Sequence, residues 1–317
     1  MIAQAVWGLA VAFGVMLLLG RPAISFLRAH QLEEQIREVG LEHHAGKRGT
    51  PTMGGLLMVT VTVVVALALD LRLPALWPLL LALVGFGLLG AADDLAKVGN
   101  RLGYGFQVRW KFLWHPGLAI LVALVIFGLL HQRTMDVGPL RSIALGWALV
   151  PIAAAIIFAS STASLVDGLD GLAAGLYALG FSAYGVIALH NQQPALAAFC
   201  GIAVGTLLGF LWFNVHPAQM FMGDTGALAY AGALGAVAVM SGQMLLLLLI
   251  GSVLALEVLS VVLQVSWFKL SHGKRLFLIS PYHHHLERKG WAEVTIVQRF
   301  WLAAAVSAAL GVGLASL

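Results

Sequence analysis

Gly87–Trp110 reads GLLGAADDLAKVGNRLGYGFQVRW. Asp93 and Asp94 close a long apolar run, and Lys97 follows one turn later. An acidic pair at a membrane boundary is costly unless it is paired, solvated or bound to a cation. The stretch therefore reads as the end of a membrane-spanning helix that carries a site.

Composition agrees. Hydrophobic residues make up 60% of the 317, charged residues 10%, and mean hydropathy is +0.93. Soluble domains carry roughly 25% charged residues, so this is an integral membrane protein with little mass outside the bilayer. The single cysteine, Cys200, leaves no internal disulfide to form and reads as a small core residue. Nucleic acid is not an expected partner.

A span needs about 20 apolar residues. Ten are expected, at 2–20, 53–70, 74–92, 112–130, 142–163, 171–190, 194–213, 225–240, 243–268 and 295–316, in one integral membrane domain over 1–317. The first does not read as a cleaved signal: no lysine or arginine precedes it, and no small-residue cleavage site closes it. Arg21 and Arg28 follow it, which places both ends of a ten-span chain outside, in the periplasm. On that topology only Arg72, Arg133 and Arg141 of the 18 basic residues lie outside. Asp93, Asp94, Asp167, Asp170, Asp224 and most histidines fall inside, so the polar chemistry gathers at the cytoplasmic face.

Each polar cluster has a plain reading and a functional one. Asp93, Asp94 and Lys97 are neighbours on a helix surface. They make either a solvated ion pair or a phosphate site, with a carboxylate binding Mg²⁺ or taking a proton. In SSTASLVDGLDGLAAG (160–175), Asp167 and Asp170 share a helical face between glycines, or cap the next helix. Asp224 in FNVHPAQMFMGDTG (213–226) reads as an N-cap or a metal ligand, beside Phe221 and Asn214, which could face a base. In PYHHHLERKGW (281–291) the consecutive histidines lack zinc-type spacing and suit phosphate contact or proton shuttling. Lys47–Gly55, KRGTPTMGG, is either a positive anchor or an anion site at a helix N-terminus. Glu257, alone within a span, is either part of an ion path or a hydrogen-bonded helix contact.

Together these segments resemble the phospho-N-acetylmuramoyl-pentapeptide transferases, within the wider polyprenyl-phosphate N-acetylhexosamine-1-phosphate transferases. The resemblance runs from about Gln35 to the last span. Asp93-Asp94-x-x-Lys97 and Asp167-Gly-Leu-Asp170-Gly match the wider group; GTPTMGG (49–55), GFLWFN (209–214), FMGDTG (221–226), EVLSVVLQV (257–265) and PYHHHLERKGW match the narrower one. It implies transfer of phospho-MurNAc-pentapeptide from UDP-MurNAc-pentapeptide to undecaprenyl phosphate, giving lipid I and UMP for peptidoglycan, in the bacterial inner membrane. It also implies Mg²⁺ and suggests a homodimer. By motif position, Asp224 would be the Mg²⁺ ligand, with Asp94 a second candidate, and Asp93 the proposed base, Asp94 supporting it. Lys47, Asp170, Asn214 and Phe221 would surround the nucleoside. His284 and His285 would meet phosphates or sugar. Lys97 and Lys111 would meet phosphates, and Thr52, Asp167 and His283 are further substrate-binding candidates. One-step transfer and a covalent intermediate both stay open.

Two departures stand out. Where the family reads Asn-Ala-Val-Asn-Leu-Thr, this chain has Ser161-Thr162-Ala163-Ser164-Leu165-Val166, and a serine hydroxyl has shorter reach and fewer donors than an amide. The family's Gly-Glu before the seventh span is Pro194-Ala195 here. Alternatives are a related transferase using another UDP-HexNAc donor, a secondary transporter, and an inactive cell-wall scaffold.

Overall fold

A computed structural model describes residues 2–30, 49–69, 74–99, 108–136 and 142–317, with the side chains of 98–99 and 108–112 excepted. In chain order the helices are α1 (Ile2–Ala29), α2 (Gly54–Ala68), α3 (Leu76–Gly99), α4 (Val108–Leu129), α5 (Leu149–Ser161), α6 (Leu172–His190), α7 (Pro194–Asn214), α8 (Gly223–Met240), α9 (Leu247–Ile250), α10 (Ser252–Leu270), α11 (Tyr282–Arg288) and α12 (Glu293–Ala315). Apolar runs become helices because hydrocarbon offers the backbone no partners and a helix satisfies its own.

Among the described residues, eight helical stretches are long and apolar enough to cross a membrane: α1, α3, α5 with its flanking 3-10 turns, α6, α7, α8, α10 and α12. Two shorter apolar helices, Gly54–Ala68 and Leu113–Leu129, lie where the second and fourth spans were expected. The chain is thus an all-α polytopic membrane protein, apart from one small hairpin. In it Thr134–Asp136 pairs antiparallel with Ser142–Ala144, Met135 opposite Ile143, so residues 142–144, expected to open the fifth span, are strand instead. Several boundaries differ from expectation, with α3 running on past residue 92 to Gly99 and α4 opening at Val108. The first helix runs on past residue 20 to Ala29, through Pro22. The expected span 243–268 is broken at Gly251 into a short α9 and a separate α10.

Helices α7 and α8 are buried along nearly their whole length and form the centre. Helix α1 packs along α7 on a stripe of glycines four residues apart. A Cβ on Gly201 would fall 2.3 Å from Ala5 O, and one on Gly205 2.2 Å from Leu9 O. Small residues let helix backbones approach this closely, and dispersion then replaces the hydrophobic effect that lipid cannot supply. Polar glue adds to it: Thr62 Oγ1 lies 2.6 Å from Tyr230 Oη and 3.0 Å from Thr206 Oγ1, tying α2, α8 and α7. At one end, the hairpin meets the α8–α9 turn, with Asp136 N–H donating to Gly242 O at 2.9 Å. At the other lie the C-terminal ends of α3, α5 and α7 and the N-terminal ends of α2, α6, α8 and α12, which carry the clustered acids and histidines.

Candidate active site

Asp93, Asp94 and Lys97 end α3, and Asp224 lies in the first turn of α8. Lys97 Nζ sits 2.7 Å from Asp224 Oδ2, 3.1 Å from Asp93 Oδ2 and 3.6 Å from Asp94 Oδ1. One ammonium among three carboxylates leaves a net negative patch. The two α3 acids are nearly sealed, whereas the Asp224 side chain is 25% exposed and the Lys97 side chain 34%.

Asp94 does something the sequence did not show. Its Oδ1 accepts the Asp224 N–H (3.0 Å); its Oδ2 accepts the Thr225 N–H (2.9 Å) and the Thr225 hydroxyl (2.7 Å). It therefore caps α8 from a neighbouring helix, and α8 has no side-chain cap of its own. The plain reading of Asp224 as that N-cap is corrected: Asp224 stands inside the first turn, its carboxylate turned to Lys97. Close approach allows the exchange, since a Cβ on Gly90 would fall 2.1 Å from Asp224 O.

The 49–55 segment is a clasp. Phe221 N–H donates to Pro51 O (2.8 Å), while Gly54 and Gly55 N–H donate to Phe221 O and Met222 O (both 2.9 Å). Met53 takes a left-handed turn at φ 66°, and Thr52 is buried between. Two of the first N–H groups of α2 are thus taken by carbonyls. Lys47 lies outside the described residues. Lys111 falls on α4, and its side chain lies outside them too.

A second cluster surrounds Asp170. Its Oδ2 accepts the Ala218 N–H (3.1 Å) and lies 2.9 Å from His216 Nδ1, and its own N–H donates to Glu293 Oε1 (2.7 Å). Asp170, His216 and Glu293 bring ligand-type atoms within 4.8 Å of one another. Asn214 is engaged on both sides, accepting the Gly171 N–H (3.0 Å) and donating to Met220 O (2.9 Å). Its amide joins the Asp170 turn to the Phe221 loop. His216 and Glu293 went unremarked in the sequence, because neither sits in a spacing that announces a partner.

The histidine run divides. His283 is fully buried, with Nδ1 2.9 Å from Glu257 Oε2 and its backbone N–H donating to Glu257 Oε1 (3.0 Å). Glu257 is thus a helix contact to α11. Burial lowers the pKa of His283, against the opposing pull of Glu257. His284 Nδ1 lies 2.6 Å from Glu287 Oε2. A Cβ on Gly168 would fall 2.6 Å from His283 Nε2 and 3.3 Å from His284 Nε2, so both rings face the Asp167–Gly168 turn. His285 points elsewhere: its Nδ1 accepts the Leu278 N–H (3.1 Å), and its ring stacks on Tyr282. It holds the 277–282 loop, and desolvation followed by Lys289 lowers its pKa.

The substituted serines sit in and beside the 3-10 turn Thr162–Val166. Ser161 donates to Phe158 O (2.7 Å) and Tyr177 anchors the turn through Ala163 O (3.0 Å). Ser164 accepts the Asp167 N–H through its carbonyl (3.2 Å), and its hydroxyl has no hydrogen bond among the described residues.

A helical membrane protein with an acid–lysine cluster at one face defines a class, and sequence comparison identifies it. The profile of glycosyl transferase family 4 matches residues 76–242. Signature 1 of the phospho-N-acetylmuramoyl-pentapeptide-transferases matches 47–59, a range that contains the clasp residues 51–55. Relatives bearing that transferase name include one from Desulfotalea psychrophila, 41% identical over 92% of this chain and 87% of its own length. Another, from Geobacillus kaustophilus, is 41% identical over 96% and 95%. A third, from Nitratidesulfovibrio vulgaris, is 41% identical over 96% and 90%. The chain belongs to the phospho-N-acetylmuramoyl-pentapeptide-transferase family, and it is a multi-pass membrane transferase.

Proposed function

We propose that the protein moves phospho-MurNAc-pentapeptide from UDP-MurNAc-pentapeptide to undecaprenyl phosphate, at the cytoplasmic face of a bacterial inner membrane, giving lipid I and UMP. An oxygen of the lipid phosphate attacks the sugar-bound phosphorus; the bond to the nucleotide's own phosphate breaks, and UMP carries away that electron pair. The observation that carries this reading is the Lys97–Asp224–Asp93 cluster beside Asp94, where a lipid-borne and a water-borne phosphate can meet.

Mg²⁺ fits the donors. They are all oxygens, and Mg²⁺ is held by one or two carboxylates plus phosphate. Asp224 is the ligand it would use, since Asp94 accepts three hydrogen bonds from α8. The ion would offset the repulsion between the two phosphates. Lys97 supplies fixed positive charge at the same spot. Asp93 would take a proton from the lipid phosphate when one is present. The Asp170 turn, Asn214 and Phe221 form the nucleoside side, and the turn 167–168 with His283 and His284 forms the sugar side.

The pairing of Glu257 with His283 removes the lone mid-span carboxylate that favoured a transporter. UMP release by purified protein, with both substrates and Mg²⁺, tests the reading. Release should require lipid and Mg²⁺, fall at least a hundredfold in Asp224→Ala, and stay low with UDP-GlcNAc. Equal release from UDP-GlcNAc would make the protein a broader HexNAc-phosphate transferase, and no release from either donor would defeat the proposal.

A further inference from the structure

Glu257 and His283 are both fully buried, on the consecutive helices α10 and α11. The carboxylate grips one residue twice, at the main-chain N–H and at Nδ1, which fixes the orientation of the ring. A bare Nδ1 lone pair 2.9 Å from a carboxylate oxygen would be repulsive, so the proton belongs on Nδ1. A neutral ring then offers Nε2 as an acceptor only, and burial keeps the ring neutral. That Nε2 is buried with no hydrogen-bond partner among the described residues. Buried polar atoms are nearly always paired, and an exception asks what pairs with it in the working state. It points at the Asp167–Gly168 turn, and glycine is the thinnest cover a backbone can provide.

We infer that Glu257 is a positioning residue for the transfer, holding His283 so that Nε2 accepts a hydrogen bond from an O–H or N–H of the donor's sugar portion when the 167–168 turn shifts. His283 is therefore not a phosphate contact, because two acceptors would face each other. The inference rests on the reading above that this turn lines the donor site. An uncharged donor group is what the atom can recognise.

Asparagine places its amide near the histidine's Nδ1, and glutamine places one near Nε2. His283→Asn should fold, keep its bond to Glu257, and raise the donor KM about tenfold with the lipid KM unchanged. His283→Gln should recover part of that loss. Glu257→Gln, whose amide can donate to Nδ1, should raise the donor KM as His283→Asn does. The ¹⁵N spectrum of labelled histidine should show a neutral Nδ1–H ring that disappears in His283→Gln and becomes an Nε2–H ring in Glu257→Gln. A wild-type donor KM in His283→Asn, or an Nε2–H ring in the wild type, would overturn the inference and leave a simple tether. If Glu257→Gln does not fold, the two His283 variants decide alone. Should the wild type release no UMP, the proposed function fails, while the spectrum still reports whether Glu257 sets the tautomer.

Discussion

Asp94 shows how far a single residue's role can lie from its motif. Its position in an acidic pair at a helix end predicted a metal or proton role, and the structure occupies both its oxygens with the first turn of α8. Asp94→Ala would strand two backbone N–H groups and a hydroxyl in a buried place. The expected cost is about 2–4 kcal/mol, seen as a lower melting midpoint in detergent. Asp94→Asn keeps one acceptor oxygen and should lose less, whereas Asp224→Ala should lose activity with little change in melting. Equal melting for Asp94→Ala and wild type would show that the cap is dispensable. A second expectation follows from His283, whose folded pKa lies below the ordinary 6.5. The unfolded chain then binds more protons than the folded one, so this contribution is complete above about 6.5 and is lost as pH falls below it. The ionisable groups acting on the ring are Glu257 from α10 and His284 and Glu287 from α11. Melting midpoints between pH 8 and 5 should fall more steeply for wild type than for His283→Gln. Parallel curves would show that His283 does not carry the effect.

Among elements, the apolar runs were legible and their joints were not. A uniformly apolar stretch fixes the helix but carries no mark of where it breaks, so 243–268 read as one span, although Gly251 interrupts it. The clasp between 51–55 and 221–222 was equally hidden, because its bonds are backbone to backbone and any side chains could make them. What the sequence does carry is the glycine that makes the clasp fit. A Cβ on Gly55 would lie 2.0 Å from Gly226 N, backbone against backbone, with no flexible atom to give way. Gly55→Ala should therefore push α2 off the start of α8 and cut UMP release at least tenfold, with destabilisation of about 1–3 kcal/mol. Gly14, with open space beside it, is the control: Gly14→Ala should leave both unchanged. A fully active Gly55→Ala would mean that the signature segment does not hold the Asp224 turn in place.

At the scale of the molecule, charge placement proved the most legible property, because a bilayer sorts charge whatever the local packing. Of the residues expected on the inner face, Asp93, Asp94, Lys97, Asp167, Asp170 and Asp224 do gather at one end of the bundle, and the hairpin with the 191–193 and 241–243 turns forms the other. Which partners they would choose was not legible: Glu257 with His283, and Asp170 with His216 and Glu293, are contacts made only by folding. The polarity has a direct test. Cys200 is the sole cysteine and is fully buried, so cysteines placed elsewhere can be read one at a time. Asn191 and Lys274 are both exposed, in turns at opposite ends of the chain's expected topology. With Asn191→Cys, a membrane-impermeant maleimide should label intact cells. With Lys274→Cys, labelling should require permeabilised membranes. The reverse pattern would turn the protein over and put its acid–lysine cluster on the side where no UDP-linked donor is made, and the proposed reaction would fall with it.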